Sequence, residues 1–190
     1  MIFSRIWRRL LNEICIRFFH WGYVGHGCRI YAPLKINGRS NIFIGDQVVV
    51  EYKTWLAAVS PLKGEVVRLE IGSGTKIGHF NHIYATKSIK IGCNVLTADR
   101  VYISDNLHSY EDITTPILQQ PIRQISEVVI GDGTWLGEGV CIIGAKIGKG
   151  CVIGANAVVT KDIPDYSVAV GIPARVIKSY NQETKKWEKV

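Results

Sequence analysis

The sequence predicts an all-β solenoid, a parallel β prism in which short strands stack coil upon coil. Three observations carry this. An aliphatic residue followed by Gly recurs at Ile71-Gly72, Ile77-Gly78, Ile91-Gly92, Ile130-Gly131, Leu136-Gly137, Ile147-Gly148 and Ile153-Gly154, with a six-residue step inside each run. The fifth position of the unit is small or β-branched, as at Thr75, Val95, Thr134, Val140, Cys151 and Ala157. Nineteen Gly among 190 residues, 47% of them hydrophobic, supply both tight corners and a core. A unit this short cannot bury its apolar side alone, so neighbouring units must stack.

Each unit supplies one short strand and a turn. Three units return the chain to its starting side, so Ile71 is expected near Ile89. Ordinary β crossovers are right-handed, and nothing in the repeat itself overrides that rule.

The elements follow in order. Over residues 2–19, Ile2, Phe3, Ile6, Trp7, Leu10, Leu11, Ile14, Cys15, Phe18 and Phe19 recur in pairs four apart. Ser4, Arg5, Arg8, Arg9, Asn12, Glu13 and Arg17 fill the gaps. This is an amphipathic helix with a basic face. It suits a cap on the end of a solenoid and also an interfacial membrane helix. Residues 30–60 are a degenerate stretch in which Ile36, Ile42, Val48 and Thr54 keep the step. PLKGEVVR at 61–68 reads as a turn or small hairpin. Strong repeats run from Leu69 to Ile103, are lost over 104–127, and resume from Val128 to Val159. Ile142 to Ile147 is a five-residue step, which demands a tightened corner. The organisation is thus an N-terminal helix or cap over 1–30, a parallel β-helix over 31–163 with an inserted loop at 104–127, and a tail with a short helix over 164–190.

Charge and cysteine usage narrow the class. The net charge of +7 gathers near the N-terminus, where Arg5, Arg8, Arg9, Arg17 and Arg29 stand against Glu13. That suits an anionic partner, but no helix-turn-helix, zinc module or aromatic RNA-binding motif is present, so no nucleic acid is expected. The five Cys (Cys15, Cys28, Cys93, Cys141, Cys151) form no C-x-x-C pair. With no signal-peptide pattern, an odd count points to a reducing cytoplasm. Cys141 and Cys151 lie at or near repeat positions, which favours burial. No apolar run approaches the ~20 residues of a membrane span.

The 24 residues at 104–127 leave an otherwise continuous solenoid, and loops this long are functional or disordered. The segment gathers Asp105, His108, Tyr110, Glu111 and Asp112, followed by Pro116 and Pro121. Read by spacing alone, His108 is equally a loop histidine in solvent.

The Ile-Gly-x-x-Thr/Val-x repeats, the insert SDNLHSYED and the tail IGANAVVTKDIPDYSVAVGIPARVI together resemble the hexapeptide-repeat acyltransferases, over roughly residues 69–178. Within that family they look like the sugar O-acetyltransferases, most of all those of polysaccharide and O-antigen type. The resemblance implies a left-handed parallel β-helix, a homotrimer, and acetyl-CoA as co-substrate in the cleft between neighbouring prisms.

It also implies roles. His108 matches the family's catalytic His, and a neutral imidazole suits removal of a hydroxyl proton near pH 7. Asp105 is expected to orient that ring. A backbone N–H near Gly137 or a neighbouring coil is expected to stabilise the oxyanion. Asn81, His82 and Tyr110 are the candidate acceptor contacts, although Asn81 also reads as a corner residue. Trp135 matches a residue lining the pantetheine channel. Gly137 and Ala155 are small where a ligand would approach, and Thr160, Lys161 and Arg175 match contacts near the CoA phosphates. Lys161 and Arg175 also read as plain surface charges.

The expected function is acetyl transfer from acetyl-CoA to a sugar hydroxyl of a surface polysaccharide or its precursor. An N-acetyltransferase of an amino sugar and a metal-dependent hydratase on the same scaffold are the alternatives. No metal is expected, because His79 and His82 lack a third ligand in matched spacing. The expected location is cytoplasmic, with peripheral membrane contact through the N-terminal helix as an added reading.

Overall fold

The structure, a computed structural model, describes residues 20–60 and 64–190. The helix expected over 2–19 lies outside the described residues, as does the first part of the turn expected at 61–68. Strand alternation builds the rest. Ile42, Ile44, Leu69, Ile71, Ile77, Ile83, Ile89, Ile91 and Ile103 point inward and are fully buried, while the residues between them face out.

Three parallel sheets form the sides of the prism. Sheet A stacks Tyr23–Val24, Ile42–Ile44, Arg68–Ile71, Ser88–Ile91, Val128–Ile130 and Lys146–Ile147. Sheet B stacks Arg29–Ile30, Val49–Val50, Lys76–Ile77, Leu96–Thr97, Trp135–Leu136, Val152–Ile153 and Ser167–Val170. Sheet C stacks Lys35–Asn37, Trp55–Ala58, His82–Ala85, Tyr102–Ser104, Cys141–Ile143 and Val158–Val159. One contiguous aliphatic core runs the length of the prism.

The interior contains a few polar side chains that bond coil to coil. Thr75, fully buried, donates to the Gly92 carbonyl at 2.8 Å and accepts from the Val95 N–H at 3.0 Å. Thr134 repeats the device with Gly148 and Cys151. At the corner between sheets A and B, Asp46, Asp132 and Asp165 each accept a backbone N–H of the preceding coil.

Three expectations change. Ile71 pairs with Ile91 and not near Ile89, because the corner at Thr86-Lys87 holds extra residues. The prism begins before residue 31: Tyr23–Val24 and Arg29–Ile30 are already in its sheets, their alternation hidden by the missing aliphatic-Gly pairs. The helix expected within 164–190 is absent. Ser167–Val170, Arg175–Asn181 and Lys186–Lys189 instead form an antiparallel extension of sheet B. The β-branched pair Val176-Ile177 suits a strand better than a helix, and the antiparallel pair extends the open end of the sheet past a register shift at Val168/Ala169. Among the described residues the helices are single 3₁₀ turns at Arg39–Asn41 and Ile117–Gln119.

The short unit has a physical cause. Gly144, at φ 57°, donates to the Ser104 carbonyl, where the insert leaves the prism. A Cβ on Gly144 would meet Ile125 of the returning segment at 3.1 Å, so the corner is pulled in beneath the insert.

Thr75→Val keeps the shape but leaves the Val95 N–H and Gly92 carbonyl unpaired. Urea titration should show a loss of about 1–3 kcal/mol. An unchanged midpoint would mean these interior bonds contribute nothing.

Candidate active site

The insert is an antiparallel hairpin, Asn106–His108 against Ile122–Gln124, growing from the end of the fourth strand of sheet C. Ser104 still pairs with Ile143 inside the prism, so the chain departs at Asp105. His108 lies opposite Ile122, exposed, with no hydrogen bond or ion pair among the described residues.

Asp105 does not orient that ring. It is completely buried, and Oδ1 accepts from the Thr86 N–H at 2.8 Å, the Thr86 hydroxyl at 2.9 Å and Asn106 Nδ2 at 3.0 Å. Oδ2 accepts from the Lys87 and Ser88 N–H groups, both at 2.8 Å. The expected orienting role gives way to a joint between corner and hairpin root. Gln124 completes it: Nε2 donates to the Asp105 carbonyl at 2.8 Å, and Oε1 lies 2.7 Å from the Thr86 hydroxyl, whose single proton is shared between Gln124 and Asp105.

The outer hairpin is held separately. Glu111 pairs with Arg123 across the strands. Asp112 accepts from the Thr114 N–H and from the Thr114 and Thr115 hydroxyls, which hold its carboxyl at about 2. The acidic residues near His108 in sequence therefore have partners of their own. Tyr110 is exposed on the hairpin.

Asn81 is not a surface contact. Only 1% exposed, it accepts the Val101 N–H at 2.6 Å and donates to the Thr97 hydroxyl. It is an interior corner residue, and the corner alternative holds.

His82 lies outward on sheet C within a ring stack that sequence reading missed. Its imidazole is parallel to the Trp55 indole at 4.2 Å and 8°, and meets Tyr102 edge-on at 5.3 Å. Lys35 sits over Trp55, whose Nε1 donates to Asn37 at 3.0 Å, and Tyr84 borders the stack. Trp55, His82 and Tyr102 share one register position, a signal visible only once coil length is known. His82 Nε2 is buried without a partner, and burial pushes its pKa below the usual imidazole value. Cys141 is next in the same row and half-buried, so the burial its repeat position favours is partial there, while Cys151 is interior. Burial raises the Cys141 thiol, which makes it a poor nucleophile at neutral pH.

The remaining candidates occupy other surfaces. Trp135, 49% exposed, faces out on sheet B beside Leu96 and Val152. Gly137 is small because the next coil demands it: an added Cβ would lie 2.7 Å from the Ala155 nitrogen. Its N–H donates to the Ile153 carbonyl at 2.8 Å and cannot serve as the expected oxyanion donor. Ala155 is exposed at the corner between sheets B and C, and Arg175 opens the strand beside Val170. Thr160 and Lys161 are exposed at the corner after sheet C, the edge from which the hairpin grows. Neither Lys161 nor Arg175 has an ion pair among the described residues.

The candidates thus divide into two groups. His108, Tyr110, Thr160 and Lys161 belong to one edge of the prism; Trp135, Ala155 and Arg175 belong to sheet B and the corner after it. The first group offers a free imidazole and a cation, the second an apolar strip and a cation.

Comparison with known proteins agrees with this architecture. Residues 127–161 match a family model described as "Hexapeptide repeat of succinyl-transferase". The chain is 40% identical over 121 residues to an Escherichia coli protein provisionally named as the lipopolysaccharide biosynthesis O-acetyl transferase WbbJ, covering 60% of this chain and 62% of that one. A Saccharomyces cerevisiae protein provisionally named as an acetyltransferase is 33% identical over 154 residues, covering 70% of this chain and 79% of that one. Among solved structures, AntD, an N-acyltransferase from Bacillus cereus in complex with dTDP and 3-hydroxybutyryl-CoA, superposes with a TM-score of 0.76 at 19% identity over 90% of each chain. At that identity the likeness concerns the fold.

The neutral His82 makes stability depend on pH. Its folded pKa is lowered, so the unfolded chain takes the proton first as pH falls below about 6.5, and stability declines through that range. Thermal unfolding between about pH 7 and pH 5 should show a smaller acid-induced drop in Tm for His82→Phe than for the parent. Equal drops would remove His82 as a cause.

Proposed function

Because the chain belongs to the hexapeptide-repeat acyltransferases, we propose that it moves an acetyl group from acetyl-CoA to a sugar hydroxyl of a surface polysaccharide or its precursor. The names of its relatives support acetyl transfer, and WbbJ supports a glycan acceptor. The chain spans 62% of WbbJ, so acceptor and partners belong to this proposal. The observation that carries it is His108: an exposed imidazole with no partner, on a hairpin whose root is fixed to the prism.

The division of the candidates between two surfaces supports a site shared by neighbouring prisms. One protomer supplies the His108 edge and another the Trp135 face, as the family's homotrimer and left-handed winding would arrange. Leu96, Trp135 and Val152 suit an apolar pantetheine arm, and Lys161 and Arg175 suit phosphates. Acetyl-CoA supplies the electrophilic thioester carbonyl. His108 accepts the hydroxyl proton at an imidazole nitrogen as the new C–O bond forms, and returns it to the departing sulfur as the C–S bond breaks. The raised thiol of Cys141 argues for direct transfer over an acyl-cysteine. Among the described residues Cys28, Cys93, Cys141 and Cys151 are free thiols, which supports a reducing cytoplasm as the proposed location.

CoA release over a panel of free, nucleotide-linked and lipid-linked sugars tests the reading. His108→Ala should lower kcat by roughly 10²–10⁴, with KM for acetyl-CoA nearly unchanged. Full turnover in that variant, with an acceptor the parent uses, would remove His108 as the base.

A further inference from the structure

The C-terminal hairpin carries a cationic aromatic face that lies beyond Val152, the last residue of the strip proposed for the pantetheine arm. Register places Val152, Val168, Lys178 and Lys189 in one row across sheet B, with Tyr180 opposite Trp187 two residues along. Alternation puts all of them on the outer face. Tyr180 meets Trp187 edge-on at 5.5 Å and Tyr166 at 6.5 Å, and the Lys149 ammonium lies 5.5 Å from the Tyr166 ring centre.

Among the described residues Lys178 and Lys189 have no counter-charge. They oppose each other directly, an arrangement that costs stability in a sheet. The hairpin's carboxylates lie elsewhere: Glu188 pairs with Ser179 on the other face and accepts from Thr184 and Asn181, while Glu183 is in the turn. Trp187 remains 45% exposed, and exposed Ile177 and Val190 meet at the strand end, where the Val190 N–H donates to the Ile177 carbonyl.

Shape decides the kind of partner. Small ligands occupy concave sites. An open groove of about 660 Å³ lies on sheet A, lined by none of Tyr180, Trp187, Lys178 or Lys189. A row of lysines beside Trp and Tyr on a sheet face is the composition of a protein surface at the bilayer–water boundary. We infer that this hairpin face docks onto an anionic lipid bilayer, its lysines at the headgroup phosphates and Trp187 in the interfacial layer. This contact uses Lys178, Lys189 and Trp187, none of which is assigned to acetyl transfer, and is distinct from the N-terminal segment.

Sedimentation of the full chain with vesicles tests it. Binding is expected to phosphatidylcholine mixed with phosphatidylglycerol, weakened by salt, and not to phosphatidylcholine alone. Lys178→Ala with Lys189→Ala should weaken binding roughly thirtyfold. Lys178→Arg with Lys189→Arg should retain it, and acetyl transfer to a soluble acceptor should be unchanged in both. The vesicle-induced blue shift of tryptophan emission should shrink in Trp187→Phe. The inference is overturned by absent or charge-independent binding, by a loss confined to Arg5→Ala, Arg8→Ala and Arg9→Ala, or by displacement with inorganic pyrophosphate at constant ionic strength. In the first case the lysines merely guard an edge strand against pairing.

Discussion

The buried carboxylate of Asp105 is the constraint on which the site depends. Taking a carboxylate out of water costs several kcal/mol unless hydrogen bonds replace its hydration. Four donors do so here, the backbone N–H groups of Thr86, Lys87 and Ser88 and the Asn106 amide, with the Thr86 hydroxyl proton shared between Asp105 and Gln124. The bonds join two coils at the point where the hairpin leaves, so the corner and the root of the His108 strand form one unit. Without them the extra residues at Thr86-Lys87 would have no fixed path, and His108 would ride on a loosely anchored loop.

Around this joint the prism separates its tasks by direction. Inward positions carry aliphatic rows with Thr75 and Thr134 satisfying the backbone between coils. Outward positions are free to vary, and each sheet uses them differently. Sheet C bears the Trp55–His82–Tyr102 stack, sheet B the apolar strip around Trp135 and, further on, the lysine and aromatic rows of the hairpin. A rigid scaffold of this kind places function at edges and insertions, where the chain can leave the stack without disturbing it.

The sequence disclosed the inside of this molecule better than its outside. The hexad gave the sheets and core because burial selects residue type at every sixth position. Coil length was hidden, since the corner residues Thr86 and Lys87 have no signature and their path depends on Asp105, distant in sequence. Asp105 and Asn81 looked like site residues because they are polar and sit in site-like motifs. Their burial follows from a register that a single sequence does not display. The C-terminal strands were not legible, because RVIKSY sets apolar beside apolar and polar beside polar where the strand shifts register, and their pairing back onto sheet B has no local signal.

Amide hydrogen exchange combined with steady-state kinetics on Asp105→Asn tests the central claim most directly. An amide in place of the carboxylate leaves one acceptor oxygen and turns a donor toward the corner N–H groups. Exchange at Thr86, Lys87, Ser88 and the hairpin should accelerate, exchange in the remaining coils should hold, and kcat should fall with KM for acetyl-CoA little changed. Corner amides as slow as in the parent, together with full turnover, would contradict the account.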